Sequence, residues 1–470
     1  MEKKTNHINP THTKHKTPGA VYFLGIGGIG MSAIARYYNS KGVRVSGYDK
    51  TATVLTKTLE QEGISIHYED DILLADLHAD FIVYTPAIPA DHAELNYFKV
   101  NGYSLYKRSD VLGMITSNTF NICIAGTHGK TTTSAMIAHI LIHSKFGCTA
   151  FLGGVASNYG TNFLQSYNGV SVVEADEYDR SFLKLQPDVA VVTTMDADHL
   201  DIYGTEKLMQ DAFLEFAAAV KTGGTLIIKN NIQRLNEFTA SNTLTYGLEN
   251  LEGDVYASIV KIQYGSYHFN AHIKGEIIQN IVLNMGGLHN VENALAAIAV
   301  AIQLNINAEA IKAAIASFTG VKRRFEYILK TLDFILIDDY AHHPEELRAL
   351  ISGAKNLFPN KQCTIIFQPH LYSRTQDHAE GFAEVLSLAD EVILLPIYPA
   401  RELPIPGVES NIIIDKMTNS IHQIINHTDV VSHFVNWQLH PQGDVVIVAG
   451  AGDIDTLILP LKNIFETKVA

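Results

Sequence analysis

The residues best placed to do chemistry stand together in Gly126-Thr127-His128-Gly129-Lys130-Thr131-Thr132-Thr133, between the apolar strand-like run Asn121 to Ala125 and the apolar helical stretch Ala135 to Leu141. Such a turn presents backbone N–H groups at the positive end of a helix dipole, which suits a phosphate. Lys130 would then reach the transferred phosphoryl group, and the Thr131 hydroxyl can ligate magnesium. The full phosphate-loop spacing needs a glycine at position 124, which is Ile124 here, so the loop is a shortened variant. A strand before it and a helix after it favour ATP binding over an ordinary glycine turn.

Two acidic segments follow later strand-like runs. Glu174-Ala175-Asp176-Glu177 comes just past Val170 to Val173, and Asp196-Ala197-Asp198-His199-Leu200-Asp201 just past Val189 to Thr193. Each alone reads as a solvated loop. Carboxylates at the C-terminal ends of strands in a phosphate-loop sheet, however, are placed to hold magnesium on the β and γ phosphates.

A second glycine motif, Gly25-Ile26-Gly27-Gly28-Ile29-Gly30, also joins a strand to a helix, and Asp49 ends the next strand about 20 residues on, as a dinucleotide fingerprint requires. It supports a nucleotide site without naming the nucleotide. An NAD-dependent oxidoreductase is the rival reading, weakened because hydride transfer has no use for the phosphate loop.

The elements that must position these residues repeat a strand–turn–helix cycle. Val21 to Leu24, Val43 to Tyr48 and Phe81 to Tyr84 read as strands, with Met31 to Ser40 helical. A second cycle runs through Asn121 to Ala125, Val170 to Val173, Val189 to Thr193 and Thr225 to Lys229. Residues 244–283 lack helical periodicity and read as an antiparallel insertion, followed by an Ala-rich helix from Asn290 to Leu304. A third cycle holds strands Phe334 to Ile337, Thr364 to Phe367, Glu391 to Leu395 and Val445 to Val448, with Glu345 to Leu357 helical. This alternation predicts parallel α/β sheets with crossover helices. Expected boundaries are a flexible tail over 1–20, a Rossmann-like domain over 21–116, a central phosphate-loop domain over 117–320 and a C-terminal Rossmann-like α/β domain over 321–470.

Composition narrows the class. A chain of 470 residues that is 47% hydrophobic can build several cores. A net charge of -14 argues against a general nucleic-acid or membrane-surface binder. The three cysteines, Cys123, Cys148 and Cys363, lie in or beside apolar runs without a CxxC spacing and read as core thiols. The N-terminus has no apolar signal region and no stretch approaches the roughly 18 apolar residues of a membrane span. A cytoplasmic location without membrane insertion is the expectation. His7, His12 and His15 belong to a solvated tail on this reading.

Taken together, these motifs resemble the Mur ligase family. The likeness runs from about residue 20 to about residue 460 and includes Gly-Thr-His-Gly-Lys-Thr, the segment Glu174 to Asp179, Asp198-His199-Leu200-Asp201 and His289-Asn290-Val291-Glu292-Asn293. It continues through Arg323-Arg324-Phe325-Glu326, Asp338-Asp339-Tyr340-Ala341-His342-His343-Pro344 and Phe367-Gln368-Pro369-His370. The glycine motif with Met31, Tyr84-Thr85-Pro86-Ala87-Ile88-Pro89 and Tyr398-Pro399-Ala400-Arg401-Glu402 are similar to the L-alanine-adding branch. Later ligases of the pathway carry a carbamoylated lysine at the position that is Phe213 here.

The resemblance implies a ligase of bacterial peptidoglycan synthesis whose substrates are ATP, UDP-N-acetylmuramate and L-alanine, acting as a monomer or homodimer. Its magnesium, or manganese in its place, would sit on Thr131 and Glu174, with His199 on a second ion. The nucleotide sugar would lie against Gly25, Gly27, Gly28, Ile29, Gly30 and Thr85, with Asp49 nearby. Adenine would be read by Asn290 and Asn293, which share a helix face, and the ribose by Asp339. Arg324 would close over the phosphates, with Arg323 its solvated neighbour. His342, His343, His370, Arg374 and Arg401 are the candidates around the amino acid and the sugar carboxylate. The family often has Arg after His370, where this chain has Leu371. The recycling ligase that attaches a whole peptide to the same sugar is a rival within the class, disfavoured by Gln368-Pro369-His370.

Overall fold

The computed structural model describes residues 17–248, 253–400, 402–418 and 421–469. The expected tail histidines His7, His12 and His15, and Arg401, lie outside the described residues. Apolar, β-branched runs form three sheets, one for each cycle read from the sequence.

In the first sheet, β1 (Ala20–Leu24), β2 (Arg44–Tyr48), β3 (Ser65–His67), β4 (Phe81–Tyr84) and β5 (Leu105–Lys107) lie in the order β3-β2-β1-β4-β5, every pair parallel. β1 is buried throughout, as a central parallel strand must be. The order reverses between β1 and β4, so the turn after β1 opens on the crevice where ligands of such sheets bind.

The second sheet holds β6 (Phe120–Ala125), β7 (Thr149–Ala156), β8 (Thr161–Leu164), β9 (Val170–Glu174), β10 (Val189–Val192), β11 (Thr225–Lys229), β12 (Asn242–Gly247), β13 (Val255–Gln263), β14 (Ser266–Ile273) and β15 (Glu276–Leu283). Its order is β15-β14-β13-β12-β11-β10-β6-β9-β7-β8. β6 therefore runs between β10 and β9, parallel to both, and the two acidic segments flank the phosphate loop rather than neighbouring each other. The insertion begins with β12 parallel to β11. Two-residue turns, Tyr264-Gly265 and Lys274-Gly275, then join β13, β14 and β15, and only antiparallel neighbours can be joined so briefly. All four turn residues have positive φ, the signature of a type I′ hairpin.

The third sheet holds β16 (Glu326–Lys330), β17 (Phe334–Asp339), β18 (Gln362–Phe367), β19 (Glu391–Leu394), β20 (Ile421–Ile424) and β21 (Asp444–Ala449), in the order β16-β17-β21-β18-β19-β20. It is parallel except for β16, an antiparallel edge that periodicity did not reveal. All three cysteines are buried free thiols, as expected.

The chain divides into two compact units. One runs through residue 257 and takes in Ala271–Ile278 and Glu292–Ala314; the other comprises Ser258–Asn270, Gln279–Val291 and the chain from Ile315. No helix among the described residues is long and apolar enough to cross a membrane.

Candidate active site

The helix Lys130–His143 is buried from Thr132 to Leu141, so its start is held firmly at the end of β6. A Cβ on Gly126, at φ 138°, would lie 2.0 Å from Thr193 Oγ1, and Gly129 caps the helix at φ 81°. Only glycine fits the first position, and the second favours it strongly. Thr127 Oγ1 contacts Thr194 Oγ1 at 2.8 Å and accepts from Asp196 N at 3.1 Å, while His128 N donates to Thr194 Oγ1 at 2.8 Å. The loop is thus tied to the end of β10. His128 itself is exposed and Thr132 buried.

Thr131 Oγ1 donates to Glu174 Oε1 at 3.0 Å, and Gly153 N donates to Glu174 Oε2 at 2.8 Å. Burial raises the Glu174 carboxyl above its usual range, against the pull of Lys130. A Cβ on Gly153 would fall 2.3 Å from Glu174 Oε2, so this glycine makes room for the carboxylate. Lys130 Nζ donates to the Gly126 carbonyl and reaches both Glu177 oxygens at 2.8 Å. His199 stands in the left-handed region at φ 51° and groups with Glu177 and Asp198, the three offering ligand atoms within 4.8 Å of one another.

At the other glycine turn, Gly25 N and Ile26 N donate to the Tyr48 carbonyl, and Gly27 N donates to Asp49 Oδ2 at 2.8 Å. Thr85 lies so near that a Cβ on Gly25 would meet its methyl at 2.9 Å. Gly28 precedes the helix Ile29–Ser40. A Cβ on Gly30 would sit 2.8 Å from Arg108 NH1, so the guanidinium of Arg108 covers this turn. Arg108 also donates to Asp176 at 2.8 Å and Lys107 to Asp179 at 2.6 Å, which ties the first glycine turn to the Glu174 to Asp179 segment. Asn162 donates to the Ile29 carbonyl and to Ser32 Oγ. Neither Arg108 nor Asn162 stands in a motif, so only their packing reveals them.

On the helix Leu288–Gln303, Asn290 and Asn293 are both nearly fully buried. Asn293 Oδ1 accepts from Thr133 Oγ1 at 3.2 Å, so this residue does meet the phosphate-loop helix. Asn290 donates to the Gly286 carbonyl at 2.6 Å and does not act as the helix cap.

In the second unit, Asp339 ends β17 with its oxygens accepting from Phe325 N at 2.6 Å and Ala341 N at 2.7 Å. Burial lifts its carboxyl to about 6, against the nearby Arg324. Arg324 lies over the Tyr340 ring. Arg323 corrects an expectation: it is not a solvated neighbour. Its guanidinium donates to the Gly450 carbonyl and lies 3.4 Å from Asp455 and 3.8 Å from Asp338, because burial leaves Asp338 needing a cation.

His343 precedes the helix Pro344–Leu357 and packs against His378 with ring centroids 4.7 Å apart; burial first, then His378, lowers its basicity. His342 packs 6.2 Å from His370, which stacks on Tyr398 and lies 3.4 Å from Arg374. Glu402 accepts from Ser373 N and Oγ, fixing the start of the short helix Tyr372–Asp377 that carries Arg374. Four predicted residues therefore converge with His378, Tyr398 and Glu402, which motif reading left unassigned.

Three family models match in order: "Mur ligase family, catalytic domain" over residues 20–119, "Mur ligase middle domain" over 124–301 and "Mur ligase, glutamate ligase domain" over 323–452. The chain belongs to the Mur ligase family. Among Mur ligases, a UDP-N-acetylmuramate–L-alanine ligase of Cytophaga hutchinsonii is 45% identical over 460 residues, 96% of this chain and 97% of that relative. One from Porphyromonas gingivalis is 46% identical over 455 residues, 95% and 99% of the two chains. The crystal structure of the UDP-N-acetylmuramate-alanine ligase of Thermotoga maritima matches with a TM-score of 0.81 at 27% identity, covering 95% of this chain and 99% of that one. The three-domain α/β fold of the Mur ligases is thus this chain's fold.

Proposed function

We propose that this Mur ligase joins L-alanine to the carboxylate of UDP-N-acetylmuramate, converting ATP to ADP and phosphate, as a cytoplasmic step of peptidoglycan synthesis. The observation that carries this reading is the 45–46% identity, over nearly the whole chain, to relatives that bear that activity in their names. The geometry supports it, since a phosphate loop with Lys130, Thr131 and Glu174 is the equipment of phosphoryl transfer.

The sugar carboxylate attacks the γ-phosphorus, the bond to the β-γ bridging oxygen breaks, and an acyl phosphate forms with ADP as leaving group. The amine of alanine then attacks the acyl carbon, and phosphate departs as the amide forms. Lys130 neutralises charge on the phosphoryl oxygens, and backbone amides of Gly126 to Thr132 orient them. Thr131 and Glu174 offer hard oxygen donors 3.0 Å apart, which suits magnesium. When bound there, that ion supplies further charge neutralisation on the β and γ phosphates. The turn Gly25 to Gly30 with Asp49, Thr85 and Arg108 holds the uridine diphosphate. Asn290, Asn293 and Asp339 serve the adenosine and Arg324 the phosphates. The group His342, His343, His370 and Arg374 orients the amino acid and sugar carboxylate, with Leu371 leaving more of that task to Arg374.

Phosphate release should require ATP, UDP-N-acetylmuramate and L-alanine together and should vanish in Lys130→Ala. Release indifferent to the nucleotide sugar would overturn the reading.

A further inference from the structure

Glu177 is the most thoroughly buried carboxylate of the segment, 1% exposed in its side chain. Its backbone is fixed, because Tyr203 OH donates to its carbonyl at 2.6 Å. Its side chain faces two partners at once. On one side is Lys130 Nζ, 2.8 Å from each oxygen; Oε1 accepts its hydrogen bond, and the buried Oε2 has none aimed at it. On the other is His199 Nε2 at 3.9 Å from Oε1, itself 3.6 Å from Asp198 Oδ2.

Lys130 has three N–H donors. They face the Gly126 carbonyl, Glu177 and, at 3.4 Å, the Thr127 carbonyl, so Nζ cannot take a phosphate oxygen without giving up one of these. The carbonyls belong to the loop that must itself wrap the phosphate, which makes Glu177 the partner to be exchanged. A carboxylate this buried is unfavourable without a cation. Once Lys130 turns away, the acceptors converging on the place are Glu177, Asp198 and a His199 nitrogen, within 4.8 Å of one another and of the chemistry that ligates a divalent cation.

We propose that Glu177 is an exchange ligand: it pairs with Lys130 until a nucleotide draws that lysine onto its phosphates, and then joins His199 and Asp198 on a divalent cation. Glu177 is a positioning residue here, and nucleotide and cation each strengthen the binding of the other through it. The proposal rests on the phosphate-loop reading above.

The test is titration of full-length protein with β,γ-methylene-ATP in EDTA and in Mn²⁺, with bound Mn²⁺ counted by electron paramagnetic resonance. In the parent protein the cation should tighten analogue binding by about tenfold or more, with a second Mn²⁺ taken up. Glu177→Gln should bind the analogue more tightly in EDTA, lose the second Mn²⁺ and show coupling reduced several-fold. Asp198→Asn, at a half-buried position away from Lys130, provides a second variant: it should lose the second Mn²⁺ while its binding in EDTA stays unchanged. Undiminished coupling and Mn²⁺ count in both variants would overturn the exchange. Analogue binding that ignores Lys130→Ala would overturn the phosphate-loop reading instead.

Discussion

The chain builds two glycine-rich strand-to-helix turns, and they differ in what surrounds them. At Gly25 to Gly30 the ring of partners is mostly neutral or distant: Asp49 takes a backbone amide of the turn itself, and one cation, Arg108, approaches from β5 and the helix that follows. At Gly126 to Thr133 the cation is inside the turn, on the first residue of the helix; Glu177, past the end of β9, meets it, and Glu174 of the same strand meets Thr131. Both turns offer amides and a helix dipole to an anion. Only the second concentrates mobile charge where a phosphoryl group would change partners, so the first is suited to holding a diphosphate and the second to transferring a phosphate.

The sharpest way to break this contrast is Lys130→Ala, which should lower kcat by roughly 10²–10³-fold, the usual cost of losing one transition-state charge contact. Steady-state phosphate release at saturating substrates measures it. Glu174→Gln keeps the Thr131 contact but removes the charge, so the Mg²⁺ concentration that half-saturates phosphate release should rise by about 10–100-fold. Gly27→Ala targets the first turn. Its Cβ would lie 2.6 Å from Thr56 Cγ2 and 2.8 Å from Asp49 Oδ2, so KM for the nucleotide sugar should rise about tenfold while binding of an ATP analogue is unchanged. A parallel fall in ATP affinity would erase the division of labour. Arg108→Ala should raise the same KM by only about three- to tenfold, because its pair with Asp176 is partly solvated.

The smallest effect concerns stability of the first sheet. Glu94 is buried, accepts from Tyr22 OH and has its carboxyl raised to about 7 by burial. The folded protein therefore binds this proton more tightly than the unfolded chain, and the stabilisation is lost as pH rises through about 7. Glu94→Gln should flatten the fall in unfolding temperature between about pH 5 and about pH 8, read by calorimetry. An unchanged slope would assign the fall to other groups.

Much of this could be read in advance, and unevenly. The runs Phe120–Ala125, Val170–Glu174, Val189–Val192 and Thr225–Lys229 announce themselves because a strand buried on both faces must be apolar throughout. β8 and β16 did not, being edge strands, where half-polar residues serve equally well, and β7 did not because Gly153 and Gly154 interrupt its apolar run. Site residues divide in the same way. Lys130, Thr131 and Glu174 follow from local turn chemistry, whereas Arg108, Asn162, Gly153 and His378 occupy no local pattern at all.

The order of residues by itself determined the two glycine-rich strand-to-helix turns, because a glycine turn between strand and helix turns backbone amides toward one place whatever packs around it. Folding decided the partners. That β6 lies between β9 and β10 brings Glu174 and Glu177 to Thr131 and Lys130, and that Asp338 is buried beside Arg323 makes a supposedly solvated arginine the half-buried counterion of a buried carboxylate. Charge pairing depends on distance and desolvation, and neither is a property of sequence spacing.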